Sequence, residues 1–128
     1  MKKQNTYYKI GRLRQPIAKQ AHIQCADIVI STAQLRHIEK KHQVELSQLG
    51  ISAEIFVKTV LDNFNQIRAG SQGSYLLVVY KEPVAQVAAI RLNYSLKKEF
   101  WEVKTATPMR AAELLNKVLI WERSAPFK

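Results

Sequence analysis

The sequence has a single cysteine, Cys25, in 128 residues, so no disulfide can form within the chain. A lone thiol favours a reducing compartment, and we expect a cytoplasmic protein. The longest apolar runs, such as YLLVVY at 75–80, are too short to cross a bilayer. The basic N-terminus has no apolar segment of the kind that directs secretion. Repeats and long linkers are also absent, and this length with 47% hydrophobic residues predicts one compact domain.

Acidic residues are scarce, above all at the front of the chain. The net charge is +10, and the first acidic residue is Asp27. Six basic residues precede it: Lys2, Lys3, Lys9, Arg12, Arg14 and Lys19. Such a charge attracts RNA, DNA, an acidic membrane or an acidic protein, and nucleic acid is the favoured partner. We predict one domain over 1–128, with a basic arm or short helix over 1–20 and a core over 21–123.

The first half of the chain carries helical patterns. The β-branched run CADIVI at 25–30 predicts a strand. Ser31, with Gln34 three residues later, predicts a capping box at the start of a helix over 32–42. Ser52 predicts the cap of the next helix, which an apolar stripe at helical spacing extends to about residue 65.

The second half carries strand patterns. YLLVVYK, QVAAIRLNY and EFWEVKTA predict a meander of three or four antiparallel strands. The closing segment at 107–119 predicts a helix, with Thr107 as its N-cap and Pro108 at its first position. Helices before strands indicate an α+β fold. We expect N-terminal helices packed on a twisted antiparallel sheet of three to five strands.

Strand alternation predicts one polar face on this sheet. Arg91 and Asn93 share a face of one strand, and Glu102 and Lys104 share a face of the next. Thr105 falls on the apolar face by the same count. The polar face is either a solvated surface with cross-strand ion pairs or a surface that grips a phosphate. In the second reading Arg91 or Lys104 would stabilise the developing charge, and Thr105 and Thr107 could donate hydrogen bonds.

Two histidines, His37 and His42, lie five residues apart in RHIEKKH at 36–42. Five residues correspond to about 140° around a helix, so they do not share a face. A helical zinc pair needs a spacing of four, and His22 is the one other histidine, so we expect no metal and no cofactor. His37 is either a catalytic group beside Lys41 or a surface residue. His42, on the apolar stripe, is either catalytic or partly buried near the helix end.

These residue types suffice to cleave RNA without a metal ion. The 2′-hydroxyl group is the nucleophile, histidine serves as acid or base near neutral pH, and cations stabilise the phosphorane.

Five motifs are spread over nearly the whole domain from Tyr8 to Trp121: IGRL at 10–13, DIVISTAQLRHIEKKH at 27–42, FVKTVLDN at 56–63, IRLN at 90–93 and FWEVKTATP at 100–108. In these motifs the sequence resembles the phage-associated branch of the barnase–EndoU–colicin–RelE-like (BECR-fold) nuclease superfamily. The resemblance implies a small α+β fold and a metal-independent ribonuclease, often a toxin or the product of a mobile element. By motif, the helix histidines correspond to His37 and His42. The residues of the late strand correspond to Lys104, Thr105 and Thr107, and Arg91 is also carried over.

We therefore predict an endoribonuclease, a hydrolase that leaves a 2′,3′-cyclic phosphate. His37, as the more accessible histidine, is the predicted acid or base, while His42 orients it or anchors the helix. Lys104 and Thr105 complete the predicted catalytic set. The predicted phosphate-binding residues are Arg91, Asn93, Thr107 and Lys41.

Two alternatives stay open. One is a non-catalytic module that binds RNA or DNA, with stacking by Tyr7, Tyr8, Tyr75 and Trp101, unless the last two belong to the core. The other is an interaction domain for an acidic protein, which in the toxin reading would be an immunity protein or antitoxin.

Overall fold

The computed structural model describes residues 6–80, 86–110 and 116–123, and side chains at 86, 87 and 107–110 are left undescribed. The helices in this part of the chain are α1 (Gln15–Ala21), α2 (Thr32–Lys41), α3 (Gln43–Leu49) and α4 (Ala53–Asn63). The strands are β1 (Tyr7–Arg12), β2 (Asp27–Ser31), β3 (Gln66–Ala69), β4 (Tyr75–Val79), β5 (Gln86–Ser95), β6 (Phe100–Arg110) and β7 (Leu119–Glu122).

The strands form one sheet of seven, in the order β1-β2-β6-β5-β4-β3-β7. All neighbours pair antiparallel except β2 and β6, which run parallel. The α+β class is thereby confirmed, as is the meander, which is formed by β3 to β6. The expected three to five strands, all antiparallel, is wrong. The sequence patterns miss the edge strand β1, because it carries a polar, exposed sequence and pairs with a strand distant in the chain. The other edge strand, β7, covers the start of IWERSAPFK, a segment whose pattern fits a short strand or a tail.

Two serine caps start helices where the sequence predicts. The Ser31 hydroxyl accepts a hydrogen bond from the Gln34 backbone N–H at 3.1 Å, and the Ser52 hydroxyl accepts one from Ile55 at 3.2 Å. These bonds satisfy backbone donors that the first turn leaves unpaired. The predicted helix starts at 32 and 53 are confirmed.

The helices cover one face of the sheet with the main hydrophobic core. Ile28, Ile38, Val57, Leu77 and Ile90 are at most 1% exposed there. The opposite face holds a smaller cluster of Leu76, Val78 and Ala89. Burial of apolar area on the helix side is the main stabilising term. The opposite face is thus free to carry polar side chains.

The segment expected to be a basic arm or short helix is part of the fold. Residues 7–12 form β1 along β2, and Gln15–Ala21 form the short helix α1, with Pro16 in its first turn. Leu13 and Ala18 are each 1% exposed. Residues 1–5 of the predicted arm lie outside the described residues.

The prediction of a helix over 107–119 is wrong for its first residues. Thr107 and Pro108 belong to β6, opposite Ala89 and Ala88 of β5. Pairing with β5 overrides the local preference of the Thr-Pro pair for a helix start. Proline is tolerated here because β2 pairs with β6 only near the start of β6. At Pro108, the side of β6 that faces away from β5 therefore has no neighbouring strand among the described residues. Residues 111–115 of the predicted helix lie outside the description, and residues 116 and 117 form a turn and a bend.

A β-bulge changes the face that residues of β6 present. Arg91 pairs with Thr105 and Leu92 pairs with Val103, so Lys104 is an extra residue in β6. After Val103, the next core residue is Ala106, with 0% exposure. The expectation that Thr105 shares the apolar face is therefore wrong, and Thr105 lies beside Arg91 on the opposite face.

Candidate functional site

A polar cleft of about 470 Å³ lies between α2 and the β6 side of the sheet. Its lining residues are Tyr7, Ser31, Ala33, Gln34, His37, Glu102 and Lys104. His37 and Lys104, two of the predicted catalytic residues, line this one cleft. Since α2 begins at the end of β2, and β2 runs parallel beside β6, the helix lies next to the middle of β6.

The helix side of the cleft comes from one face of α2. Ala33, Gln34 and His37 follow the helical spacing of three and four, so they point the same way. His37 is exposed, whereas Ile38, its neighbour in sequence, is 1% exposed and in the core. The predicted capping box is only half formed, because the side-chain oxygen of Gln34 is buried in the cleft wall with no hydrogen-bond partner among the described residues.

The strand side of the cleft comes from the bulge. Lys104 Nζ lies 3.4 Å from Glu102 Oε1, and the Glu102 side chain is only 17% exposed. The site therefore places a carboxylate, an ammonium group and an imidazole around one opening. A carboxylate can accept a proton, an imidazolium can donate one, and an ammonium group can stabilise an anion.

The strand register adds three more predicted residues next to the cleft. Asn93 lies opposite Glu102, and Arg91 lies opposite Thr105, one step further along the same face. The Nε of Arg91 is buried and has no hydrogen-bond partner among the described residues. A buried donor without a partner carries a desolvation cost that an oxyanion ligand would relieve.

His42 is not in the cleft. The helix α2 ends at Lys41, and His42 caps it at the junction with α3. His42 is 8% exposed, and its Nδ1 lies 3.4 Å from Glu45 Oε2. Its Nε2 is buried without a described partner. The structure separates the histidines as the helix geometry predicts.

The remaining predicted residues lie at the margins of the site. Lys41 is exposed at the end of α2, one turn beyond His37, so it extends the same face with a positive charge. Thr107 lies in β6 opposite Ala89, and its side chain is outside the description. It is not the N-cap that the sequence predicts.

The aromatic residues divide into core and surface. Trp101 is 2% exposed, donates from Nε1 to the Gln24 carbonyl at 2.7 Å and packs edge-on against Tyr75. The core alternative for Tyr75 and Trp101 is therefore confirmed. Tyr7 and Tyr8 are 39% and 47% exposed.

Two carboxylates outside the cleft have shifted pKa values. A hydrogen bond from the Arg12 guanidinium, at 2.7 Å, lowers the pKa of Asp27 and raises that of Arg12. The pKa of Glu45 is lowered first by a hydrogen bond to its own backbone N–H and then by His42. Both shifts act at the surface.

The predicted catalytic and phosphate-binding sets omit five lining residues of the cleft, namely Tyr7, Ser31, Ala33, Gln34 and Glu102. The position of Glu102 on the polar face is readable from strand alternation, but its closeness to His37 is not. Gln34 is identified in the sequence only as a capping residue. Tyr7 lies on a strand that the sequence does not reveal.

Within the described ranges, no three His, Cys, Asp or Glu side chains lie close enough together to hold a metal ion. None of the helices in those ranges combines the length and apolar character that a membrane crossing needs. No protein-family model matches this chain, and neither a curated protein nor a solved structure matches it. The interpretation of the cleft therefore depends on its own chemistry.

Proposed function

We propose that this chain is a metal-independent endoribonuclease whose active site is the cleft between α2 and β6. The observation that carries the proposal is the presence of His37, Glu102 and Lys104 around one opening. The expected BECR-like fold and the nuclease resemblance belong to the same proposal, and the α+β architecture is compatible with both.

The reaction assigns one role to each group. Glu102 takes the proton from the 2′-hydroxyl group, and the 2′-oxygen attacks phosphorus. The bond from phosphorus to the 5′-oxygen then breaks, and His37 gives its proton to that oxygen. The products are a 2′,3′-cyclic phosphate and a free 5′-hydroxyl group.

Cations on the sheet stabilise the charge that develops on the phosphate. Lys104 is 36% exposed on its side chain, and its ion pair with Glu102 is partly open to solvent. Such pairs are worth little, so the ammonium group can turn to a phosphate oxygen. Arg91 and Thr105 offer donors next to it, and Asn93 offers an amide beside Glu102.

The test is an RNA cleavage assay with total RNA and a labelled single strand, all in EDTA. We expect products ending in a cyclic phosphate, and no cut where a single 2′-deoxy nucleotide replaces the target. Glu102→Gln should lower the rate by about 10²–10⁴-fold, and Lys104→Ala by about 10²-fold. Lys19→Ala, an exposed lysine on α1, is the matched control and should keep full activity.

Two results would contradict the proposal. Cleavage that EDTA abolishes would exclude the mechanism. An absence of cleavage by wild-type protein under all conditions, with tight and salt-sensitive RNA binding, would instead identify the non-catalytic binding module.

The cellular context extends this proposal. Cys25 is a free, half-buried thiol, which suits a cytoplasmic enzyme acting on RNA. An RNA-cleaving toxin made inside a cell needs an inhibitor, and a protein of net charge +10 favours an acidic one. Expression of wild-type protein should arrest growth, while Glu102→Gln should not.

A further inference from the structure

A second, larger concave surface lies beside β1, outside the cleft. One depression of about 480 Å³ lies between β1, α2 and α4. Another of about 460 Å³ lies between β1, α1, the end of α4 and Arg123, the residue after β7. Lys9 and Ile10 line both, so the two adjoin. We call the combined surface the β1 groove.

The β1 groove is strongly basic. Its cationic lining residues, all exposed, are Lys9, Arg12, Arg14, Arg36, Lys58 and Arg123. The acidic lining residues are Glu54 and Asp62. Glu54 is paired with Lys58 at 3.0 Å, so it compensates one cation, and the lining keeps an excess of positive charge. A groove lined by cations is typical of a surface that binds a phosphate backbone.

The cations differ in how far they are already paired. Lys9 and Arg12 share Asp27, at 3.5 Å and 2.7 Å. The side chains of Arg14 and Arg36 make no ion pair or hydrogen bond with the described residues, so both are available to a ligand. They lie one in each depression of the groove.

Arg123 is held in place at the far end of the groove. Its guanidinium donates to the Phe64 carbonyl at 3.3 Å and lies 5.7 Å from the centre of the Trp121 ring. These contacts orient the planar group and leave part of it exposed. A pre-oriented guanidinium loses less entropy when it binds a phosphate.

The groove and the cleft are lined by neighbouring residues of β1 and α2, whose side chains lie on different faces of those two elements. On β1, Tyr7 lines the cleft and Tyr8 lines the groove, and on α2 His37 lines the cleft and Arg36 lines the groove. The two surfaces come together at the start of α2, where Ser31 and Ala33 line the cleft and Thr32 lines the groove, so a chain that leaves the cleft there can continue into the groove. Tyr8, 47% exposed, offers a ring on which a base can stack.

We propose that the β1 groove binds the phosphates of single-stranded RNA that continues from the cleft, so that the protein holds a longer strand than the cleft alone accommodates. From Tyr8 to Arg12 the strand rises about 13 Å, enough for consecutive phosphates. Continuity with the cleft and the exposed Tyr8 ring favour RNA over an acidic protein. The identity of the ligand rests on the proposed function, whereas the polyanion site rests on the groove itself.

The test measures binding and not cleavage. The 128-residue chain is titrated with fluorescent, uncleavable 2′-O-methyl RNA of about 20 nucleotides and with a trimer, at several salt concentrations. Arg14→Ala/Arg36→Ala should reduce the slope of log K against log salt by about 1.4, since each phosphate contact on a single strand contributes about 0.7. Binding of the trimer should stay unchanged. Lys19→Ala/Lys97→Ala removes the same charge outside the groove and the cleft lining and should leave the slope near the wild-type value.

Equal slopes for the two double variants would overturn the proposal. So would groove variants that lose binding of poly-glutamate while RNA binding stays intact, which would assign the groove to an acidic protein. Because cleavage is not the readout, a change in slope without any nuclease activity supports the groove and refutes the proposed function. Cleavage of RNA together with equal slopes for the two double variants would support the proposed function and refute the groove.

Discussion

Replacing each histidine of RHIEKKH by alanine should produce opposite effects. His42 is 8% exposed at the junction of α2 and α3, with Nδ1 3.4 Å from Glu45. Its removal leaves a gap at the junction, and we expect His42→Ala to lower the free energy of unfolding by about 1–3 kcal/mol. For a chain of this size that corresponds to a melting temperature lower by about 3–15 °C.

His37→Ala should leave stability nearly unchanged. The side chain is exposed in the middle of α2, where alanine has the higher helix propensity. We expect a change within about 0.5 kcal/mol. The cleavage rate should instead fall by about 10²–10⁴-fold, the usual contribution of an acid–base group. His42→Ala should keep its activity at temperatures where it is folded.

The pH dependence checks the same junction. The pKa of Glu45 lies below its ordinary value of 4.5, because the backbone N–H and then His42 favour the carboxylate. A lowered pKa in the folded state gives stability that is present above pH 4.5 and is lost as the pH falls through the lowered pKa. Wild-type protein and Glu45→Gln should therefore differ in stability near neutral pH and converge in acid.

Urea unfolding followed by circular dichroism, with cleavage measured in parallel, separates these effects. A large loss of stability in His37→Ala would refute the placement of His37 on the exposed face of α2. Loss of cleavage in folded His42→Ala, with His37→Ala still active, would reverse the roles assigned to the two residues.

Three further predictions concern the frame around the site. The Asn65 side chain donates a hydrogen bond to the Tyr80 carbonyl at 2.7 Å and accepts one from the Tyr80 backbone N–H at 2.8 Å. Asn65→Ala and Asn65→Asp should therefore each lower the free energy of unfolding by about 1–3 kcal/mol, and an unchanged midpoint in urea would contradict this. Gly70→Ala should destabilise the protein by about 1–3 kcal/mol, because an added Cβ meets the Ser74 hydroxyl and lies 3.3 Å from the Ser74 carbonyl oxygen. A melting temperature equal to that of the wild type would show that the turn adjusts to the added methyl group. Asp27→Asn should be less stable than wild type above pH 3.8 and lose this difference in more acid solution, because its arginine partner on β1 lowers its pKa; a difference independent of pH would exclude the ion pair as the cause.

Local signals are sufficient for several elements. Ser31 and Ser52 cap their helices with bonds that span three residues, so the starts of α2 and α4 are readable from adjacent sequence. The strands of the meander alternate or run apolar, and they pair with their neighbours in the chain. In the same way, the spacing of the two histidines determines that they face different surroundings.

Non-local pairing explains what the sequence patterns miss. The strand β1 carries a polar, exposed sequence, and its pairing with β2 makes it a strand. Thr107 and Pro108 satisfy local rules for a helix start, but pairing with β5 prevails. The bulge at Lys104 is a property of two strands in register, so one-strand alternation assigns Thr105 to the wrong face.

Adjacent sequence and composition are enough to predict the basic charge, the α+β class, the start of α2 and the separate faces of His37 and His42. These depend on composition or on bonds between residues a few positions apart. The placement of His37, Glu102 and Lys104 around one cleft depends on the tertiary structure, because the parallel pairing of β2 with β6 joins segments more than sixty residues apart. The β1 groove likewise exists only where α1, α2, α4 and Arg123 lie against β1.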